Sequence, residues 1–174
     1  MTDDRGLGVF VVGLGRFGGA IATKLMELGH DVLAVDDNLE LVQTYSSIVT
    51  SVAQIDSTNR DALLQLGVSE FRYAVVAIGS DVEASILTTA ELSDLGVAHI
   101  WSKAHNTTHA KILRRVGAHH VVMPEQEMGD RVAHLVTGRM VDYMLFESDF
   151  AMVETSAPSQ FCGRTLEGSQ VRDR

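Results

Sequence analysis

VFVVGLGRFGGAIATKLMELGHDVLAVD, residues 9–36, reads as one supersecondary unit. Val9–Val12 is a short apolar run suited to a strand buried on both faces. Gly13-Leu14-Gly15-Arg16-Phe17-Gly18 follows as a G-x-G-x-x-G turn, Ala20–Leu28 has helical apolar spacing, and the apolar run Val32–Val35 ends on Asp36. Each part has a physical job. Gly13 permits the tight turn, Gly15 lets backbone approach a pyrophosphate, and Gly18 lets the helix pack closely on the strand. The helix start offers N–H groups and a positive dipole end to an anion. Asp36 is placed to accept from two ribose hydroxyls, and its charge disfavours a 2′-phosphate, so NADP is the least favoured ligand. The unit predicts adenine-nucleotide binding; the alternative is a glycine-rich βα turn that binds nothing.

The same rhythm continues downstream. A helix is expected over Asn38–Tyr45, capped by Asp37 or Asn38, then a strand over Ile48–Val52. Capping residues Asp56–Asn59 precede a helix over Asp61–Leu66 that Gly67 stops. Tyr73–Ile78 is the most apolar strand, broken by Gly79-Ser80-Asp81, and Glu83–Leu95 is a helix closed by Gly96. His99–Lys103, a helix over Thr108–Val116 closed by Gly117, and the strand His120–Met123 complete the series. This alternation predicts a Rossmann-like α/β fold, a six-stranded parallel sheet with helices on both faces, over residues 7–124. Ligands of such sheets sit at the carboxyl ends of strands near the topological switch point, where Gly13, Asp36, Asp56 and Gly79 all fall.

The tail differs. From Pro124-Glu125 a long helix is expected to about Phe146, with Met128, Val132, Leu135, Val136, Met140 and Tyr143 at helical spacing. Such an apolar stripe suits a second subunit, the alternative being a helix folded back on its own domain. Residues 148–174, with a short strand over Ala151–Glu154, cannot bury a core of their own and read as the opening of a second domain.

The acidic balance, net −9 at pH 7 over 174 residues, argues against a sequence-independent nucleic-acid binder, which needs basic surface. One cysteine, Cys162, excludes an internal disulfide and suits a reducing cytosol. No apolar stretch approaches the ~18 residues that span a bilayer, so any membrane role runs through a partner rather than direct insertion.

Among single residues, Arg16 sets a guanidinium beside the phosphates, which points to a highly charged chain such as ATP. Asp56 is an acceptor for an adenine amine or ribose, or simply a cap. Leu14 and Phe17 within the turn, Asp37 beside Asp36, Ser57 beside Asp56 and Ile78 beside Gly79 complete the candidate nucleotide-binding set. Lys103 ends a strand at the same crevice. Glu125 opens the long helix, where the dipole alone favours a carboxylate. His105 and His109 could share a helical face as zinc ligands do, but no cysteine or carboxylate accompanies them, so a solvated pair is expected. No Tyr-x-x-x-Lys or His/Asp pair is placed for hydride chemistry, which argues against an NAD-dependent oxidoreductase.

With these residues laid out, the chain resembles the RCK (TrkA-N) domain of regulatory subunits of bacterial Ktr/Trk potassium uptake systems, the Ktr type most of all. The matching stretches are VVGLGRFGGAIA, LGHDVLAVD, YAVVAIGSD with the following SILTT, IWSKAHN, and VGAHHVVMPEQEMG, covering residues 9 to about 145. The resemblance implies a cytoplasmic regulatory subunit, not an enzyme, bound through an integral membrane potassium channel subunit. It implies homodimers through a crossover helix over residues 125–147, dimers joined into an octameric ring, and gating by ATP against ADP. NAD or NADH is the ligand in the related Trk or Kef alternative. Carried over, Gly13, Gly15 and Gly18 cradle phosphate and Asp36 holds ribose. Arg16 senses the terminal phosphate across the dimer, Lys103 supports it, and Glu125 helps place Mg2+ or Ca2+. The family's carboxy-terminal domain is represented by its first strand and turn in FAMVETSAPSQFCGRTLEGSQVRDR.

Overall fold

A computed structural model of the chain describes residues 8–136 and, as backbone, the strands Asp142–Glu147 and Phe150–Glu154. Two compact units are present, Met1–Met123 and Pro124–Arg174. The first runs β1 (Gly8–Val12), α1 (Arg16–Glu27), β2 (Asp31–Asp36), α2 (Leu39–Tyr45), β3 (Ser51–Gln54) and α3 (Arg60–Gln65). After a single 3₁₀ turn come β4 (Tyr73–Val76), α4 (Val82–Asp94), β5 (His99–Lys103), α5 (Thr107–Arg115) and β6 (His120–Val122). The strands pair in parallel in the order β3-β2-β1-β4-β5-β6. The chain therefore reverses its direction of travel across the sheet between β1 and β4. Loops leaving those two strands diverge there and open a crevice at their carboxyl ends.

Alternation along the strands divides the core. Phe10, Val12, Val35, Ala74, Val76 and Ile100 point to one face, where Leu63 of α3 and Leu92 of α4 cover them. Leu113 and Ala110 of α5 extend that layer against Val121 and Ile86. Val9, Val11, Val32 and Ala34 point the other way, beneath Ala22 of α1 and Leu41 and Tyr45 of α2. Helices thus lie on both faces, as expected, but the second face is only half covered within this unit. Over β4–β6 an apolar groove of about 590 Å³ runs along Tyr73, Val75, Trp101 and Val122, walled by Phe17, Ile21 and Leu25 of α1.

Three expectations need correction. The third strand begins at Ser51, not Ile48, because Ile48 and Val49 still donate to Tyr45 O and close the end of α2 (2.9 and 3.1 Å). Val49 is buried as the plug of that turn rather than as a strand residue. β4 ends at Val76; Ala77 N donates to Val12 O at 2.7 Å, and Ala77 and Ile78 turn into the loop. The largest change concerns the tail. Helix α6 spans Pro124–Val136, but Asp142–Glu147, expected as its continuation to about Phe146, forms a strand, β7. It pairs antiparallel with β8, Phe150–Glu154, where a short strand was expected over Ala151–Glu154. A four-residue apolar run such as Tyr143–Phe146 fits either period, and pairing with Phe150–Glu154 decides for a strand. On α6, Met128, Val132 and Val136 are 54%, 47% and 80% exposed. Cys162 and Met140 lie outside the described residues.

The solvated histidine pair is also corrected. Asn106 caps α5 through His109 N (2.9 Å), so His105 precedes the helix and shares no face with His109. His109 is buried, its Nδ1 accepts from His105 N at 3.2 Å, and its Nε2 has no partner. Burial first, then the charge of His105, holds the His109 imidazole below its ordinary pKa. The unfolded chain therefore binds the extra proton more readily, and stability should fall as pH drops below the ordinary histidine value of about 6.5. Urea unfolding at stepped pH checks this; His109→Leu should flatten the slope in that window.

Candidate functional site

The glycine turn is held by a side chain from the next strand. Gly13 has φ +90, and a Cβ there would stand 3.2 Å from Ala77 C, so another residue would be strained in conformation and tight against the backbone at the end of β4. Gly13 N donates to Val35 O (2.8 Å), and Leu14 N donates to Asp36 Oδ2 at 2.6 Å. Asp36 Oδ1 accepts from Asn38 N (2.8 Å), which leads into the cap of α2. One carboxylate thus ties the glycine turn to the end of β2. Gly18 packs against the Gly13 carbonyl and Ala77 Cβ, as its role in helix–strand packing predicted. Gly19, which the motif does not include, leaves room for the Tyr45 hydroxyl of α2.

Helix capping singles out α1. Asn38, Asn59, Asp81 and Asn106 each accept from a first-turn amide of α2, α3, α4 and α5. Gly15, the N-cap of α1, supplies no side-chain acceptor, and no acidic residue stands in the first turn. The first amides of α1 and its positive end are left for an anion. Gly15 itself is extended (φ −62, ψ −171) with nothing within 4 Å of a built Cβ, so nothing within the chain demands glycine there.

A cavity of about 300 Å³ opens at this point, at the carboxyl ends of β1, β2 and β4. It collects Gly13, Gly15, Asp36, Asp37, Asp56, Ser57, Ile78 and Gly79 of the residues expected from the sequence. Leu41 and Ile55 add apolar wall, and Asn38, Ser80, Asp81 and Ala84 complete the rim. These were missed because Leu41 and Ile55 carry only a core signal, while Asn38 reads as a cap and Asp81 as part of a strand break, and both are in fact caps.

The remaining candidates stand apart from this cavity. Leu14 buries its side chain in the core and offers only its amide, already taken by Asp36. Gly18 lies beneath the turn, and Arg16 is exposed as the first residue of α1. Phe17 and Lys103 line the apolar groove on the half-covered face. Lys103 Nζ nonetheless lies 5.6 Å over the Phe17 ring and 3.2 Å from where a Cβ on Gly79 would stand, between the glycine turn and the β4 loop. Glu125 is in the first turn of α6, in the second unit.

Charge is divided along the cavity. Asp36, Asp37 and Asp56 crowd the end formed by β2 and β3. Burial, and then a hydrogen bond and repulsion from Asp36, raise the Asp37 pKa above the usual carboxylate value. Asp56 is pulled the other way: the Thr58 hydroxyl (2.6 Å) and amide (2.9 Å) both donate to its Oδ1 and stabilise the ionised form. The end beside Gly13 and Gly15 instead presents the uncapped helix start. A ligand with a donor-rich sugar and base at one end and an anionic tail at the other fits this polarity. Among the described residues no three His, Cys, Asp or Glu side chains gather to hold a metal ion, and no helix is long and apolar enough to cross a membrane.

Comparison with known proteins bears on the family and the fold. The TrkA-N domain model matches residues 9–124. The Ktr system potassium uptake protein C of Bacillus subtilis is 41% identical over 163 residues, 93% of this chain and 74% of that protein. Protein A of the same system and organism is 39% identical, over 93% of this chain and 73% of its own length. Among solved structures, the GsuK channel bound to NAD superposes with a TM-score of 0.74 at 18% identity, covering 100% of this chain and 32% of the channel chain, a likeness of fold.

Proposed function

The chain belongs to the TrkA-N domain family and is kin to the Ktr system potassium uptake proteins, and from that premise we propose that it is a non-catalytic, nucleotide-binding regulatory subunit of a potassium uptake system. It acts in the cytoplasm on an integral membrane potassium channel subunit, as homodimers that build an octameric ring. ATP and ADP are its discriminated ligands. The observation that carries the nucleotide reading is the uncapped start of α1 facing one end of a cavity whose other end holds Asp36. In this reading Gly13, Gly15 and Gly79 surround the phosphates, Asp36 takes the ribose, and Asp56 and Ser57 meet the base.

A ligand shifts gating only through unequal affinity for two ring shapes. Arg16, exposed at the helix start, is the group we assign to the terminal phosphate of a neighbour's ATP. Arg16→Ala should lower ATP affinity about tenfold or more, the size of one charge-assisted hydrogen bond, and leave ADP affinity nearly unchanged. Isothermal titration with both nucleotides reads the ratio, and an unaltered ratio removes Arg16 as the discriminator. Glu125 would need oxygens from the nucleotide or a second subunit to hold Mg2+ or Ca2+.

A second reading, an NAD(H)-responsive regulator of potassium transport, is favoured by the GsuK channel's binding of NAD and by Asp36, which suits the ribose of any adenine dinucleotide. Thermal-shift titration with ATP, ADP, NAD and NADH, paired with a mass measurement of the assembly, separates the two. Stabilisation by NADH alone would reverse their order, and no shift with any of them would remove both.

A further inference from the structure

Beside Leu92, the inward face of α4 carries three hydroxyls where apolar side chains would pack at no polar cost. Ser85, Thr88 and Thr89 are all fully buried against the sheet. Thr89 satisfies itself locally: its hydroxyl donates to Ser85 O one turn back (2.8 Å) and meets Ser102 Oγ at 3.1 Å. A helical threonine ordinarily uses that backward bond. Thr88 does something different. Its Oγ1 lies 2.8 Å from Ser57 Oγ, a buried bond across a separation of 31 positions.

Ser57 sits in the loop that carries Asp56 to the cavity, and both residues line it. That loop is internally stiff. Asp56 Oδ1 takes the Thr58 amide and hydroxyl, Asp56 O accepts from Asn59 N (3.1 Å), and Asn59 caps α3. Its entry is fixed by Ile55 N donating to Asp36 O at 3.2 Å. The Ser57–Thr88 bond is the side-chain tie between the middle of this rigid loop and the body of the domain, so it sets the tilt at which the Asp56 carboxylate meets a ligand.

We propose that Thr88 is a positioning residue for nucleobase recognition, acting through Ser57 to aim Asp56 at the 6-position of a purine. The inference rests on the nucleotide reading above and deepens it. An ionised Asp56 only accepts hydrogen bonds, so it favours the 6-amino group of adenine and rejects the 6-keto oxygen of hypoxanthine. Thr88→Val keeps the shape and removes the tie; Thr88→Ser keeps the tie.

Titration calorimetry of the 174-residue chain with ADP and with inosine diphosphate tests this. The parent should prefer ADP. Thr88→Val and Ser57→Ala should each weaken ADP by about five- to tenfold, the size of one net hydrogen bond, and bring the two affinities together. Thr88→Ser should behave like the parent. A variant that is merely less stable would lose both ligands equally and keep the ratio, and an unchanged ratio in Thr88→Val overturns the inference; if that variant does not fold, Thr88→Ala decides. A parent that binds both diphosphates equally also overturns it, while one that binds no adenine nucleotide overturns the functional reading itself.

Discussion

Asp36→Ala is expected to abolish measurable adenylate binding and to loosen the fold at once. The carboxylate accepts from Leu14 N and Asn38 N, so its loss frees the glycine turn and the entry to α2 together. Hydrogen bonds to charged groups contribute roughly 1.5–3 kcal/mol each, and partial exposure lowers that, so a loss of about 2–3 kcal/mol in unfolding free energy is expected. Removal of the ribose acceptor should weaken nucleotide more than about a hundredfold on the same scale. Asp36→Asn separates the roles, since its carbonyl oxygen can keep one amide while the charge is gone. Urea unfolding and calorimetry read the two effects. A variant that keeps parental affinity would remove Asp36 from the site, whatever its stability.

Gly15→Ala and Gly18→Ala should fail in opposite ways. A Cβ on Gly18 would overlap the Gly13 carbonyl and stand 2.8 Å from Ala77 Cβ. Backbone cannot yield as a side-chain tip does, so this overpacking should cost about 3 kcal/mol or more. A Cβ on Gly15 meets nothing within 4 Å, and φ −62 suits alanine. Its stability should change by less than about 1 kcal/mol, the difference between glycine and alanine at an N-cap. Yet the new methyl enters the cavity beside the uncapped amides, and a steric cost of 1–3 kcal/mol lowers affinity by roughly ten- to a hundredfold. Melting temperatures and ligand titration on the two variants make the comparison. If Gly15→Ala binds nucleotide as the parent does, the phosphates do not rest on that turn.

Much of this was legible because local chemistry and tertiary arrangement agree. Asn38, Asn59, Asp81 and Asn106 cap helices where short polar residues precede apolar periodicity, and Gly67, Gly96 and Gly117 end them. Strand ends carrying Gly13, Asp36, Asp56 and Gly79 could be brought together on topology alone, and they share one cavity. What escaped depends on contacts distant in sequence. No spacing rule announces that Leu14 N is claimed by Asp36, or that Thr88 turns from its own helix toward Ser57. The strand Asp142–Glu147 escaped for another reason: its apolar spacing fits a helix as well as a hairpin, and pairing with Phe150–Glu154 settles the matter. Phe17 and Lys103, placed by sequence at the phosphate crevice, line the groove on the half-covered face, because side chains alternate across a strand and around a helix, while Lys103 Nζ reaches back to 3.2 Å from where a Cβ on Gly79 would stand.

That groove has a practical corollary. Trp101 is the sole indole of the protein, 41% exposed on β5 and stacked on His120 at 4.1 Å. Its emission therefore reports on one wall of one trough, with no competing fluorophore of its kind. Anything that settles over β4–β6 will shift that spectrum toward the blue, so the molecule carries its own optical gauge of what lies against that trough.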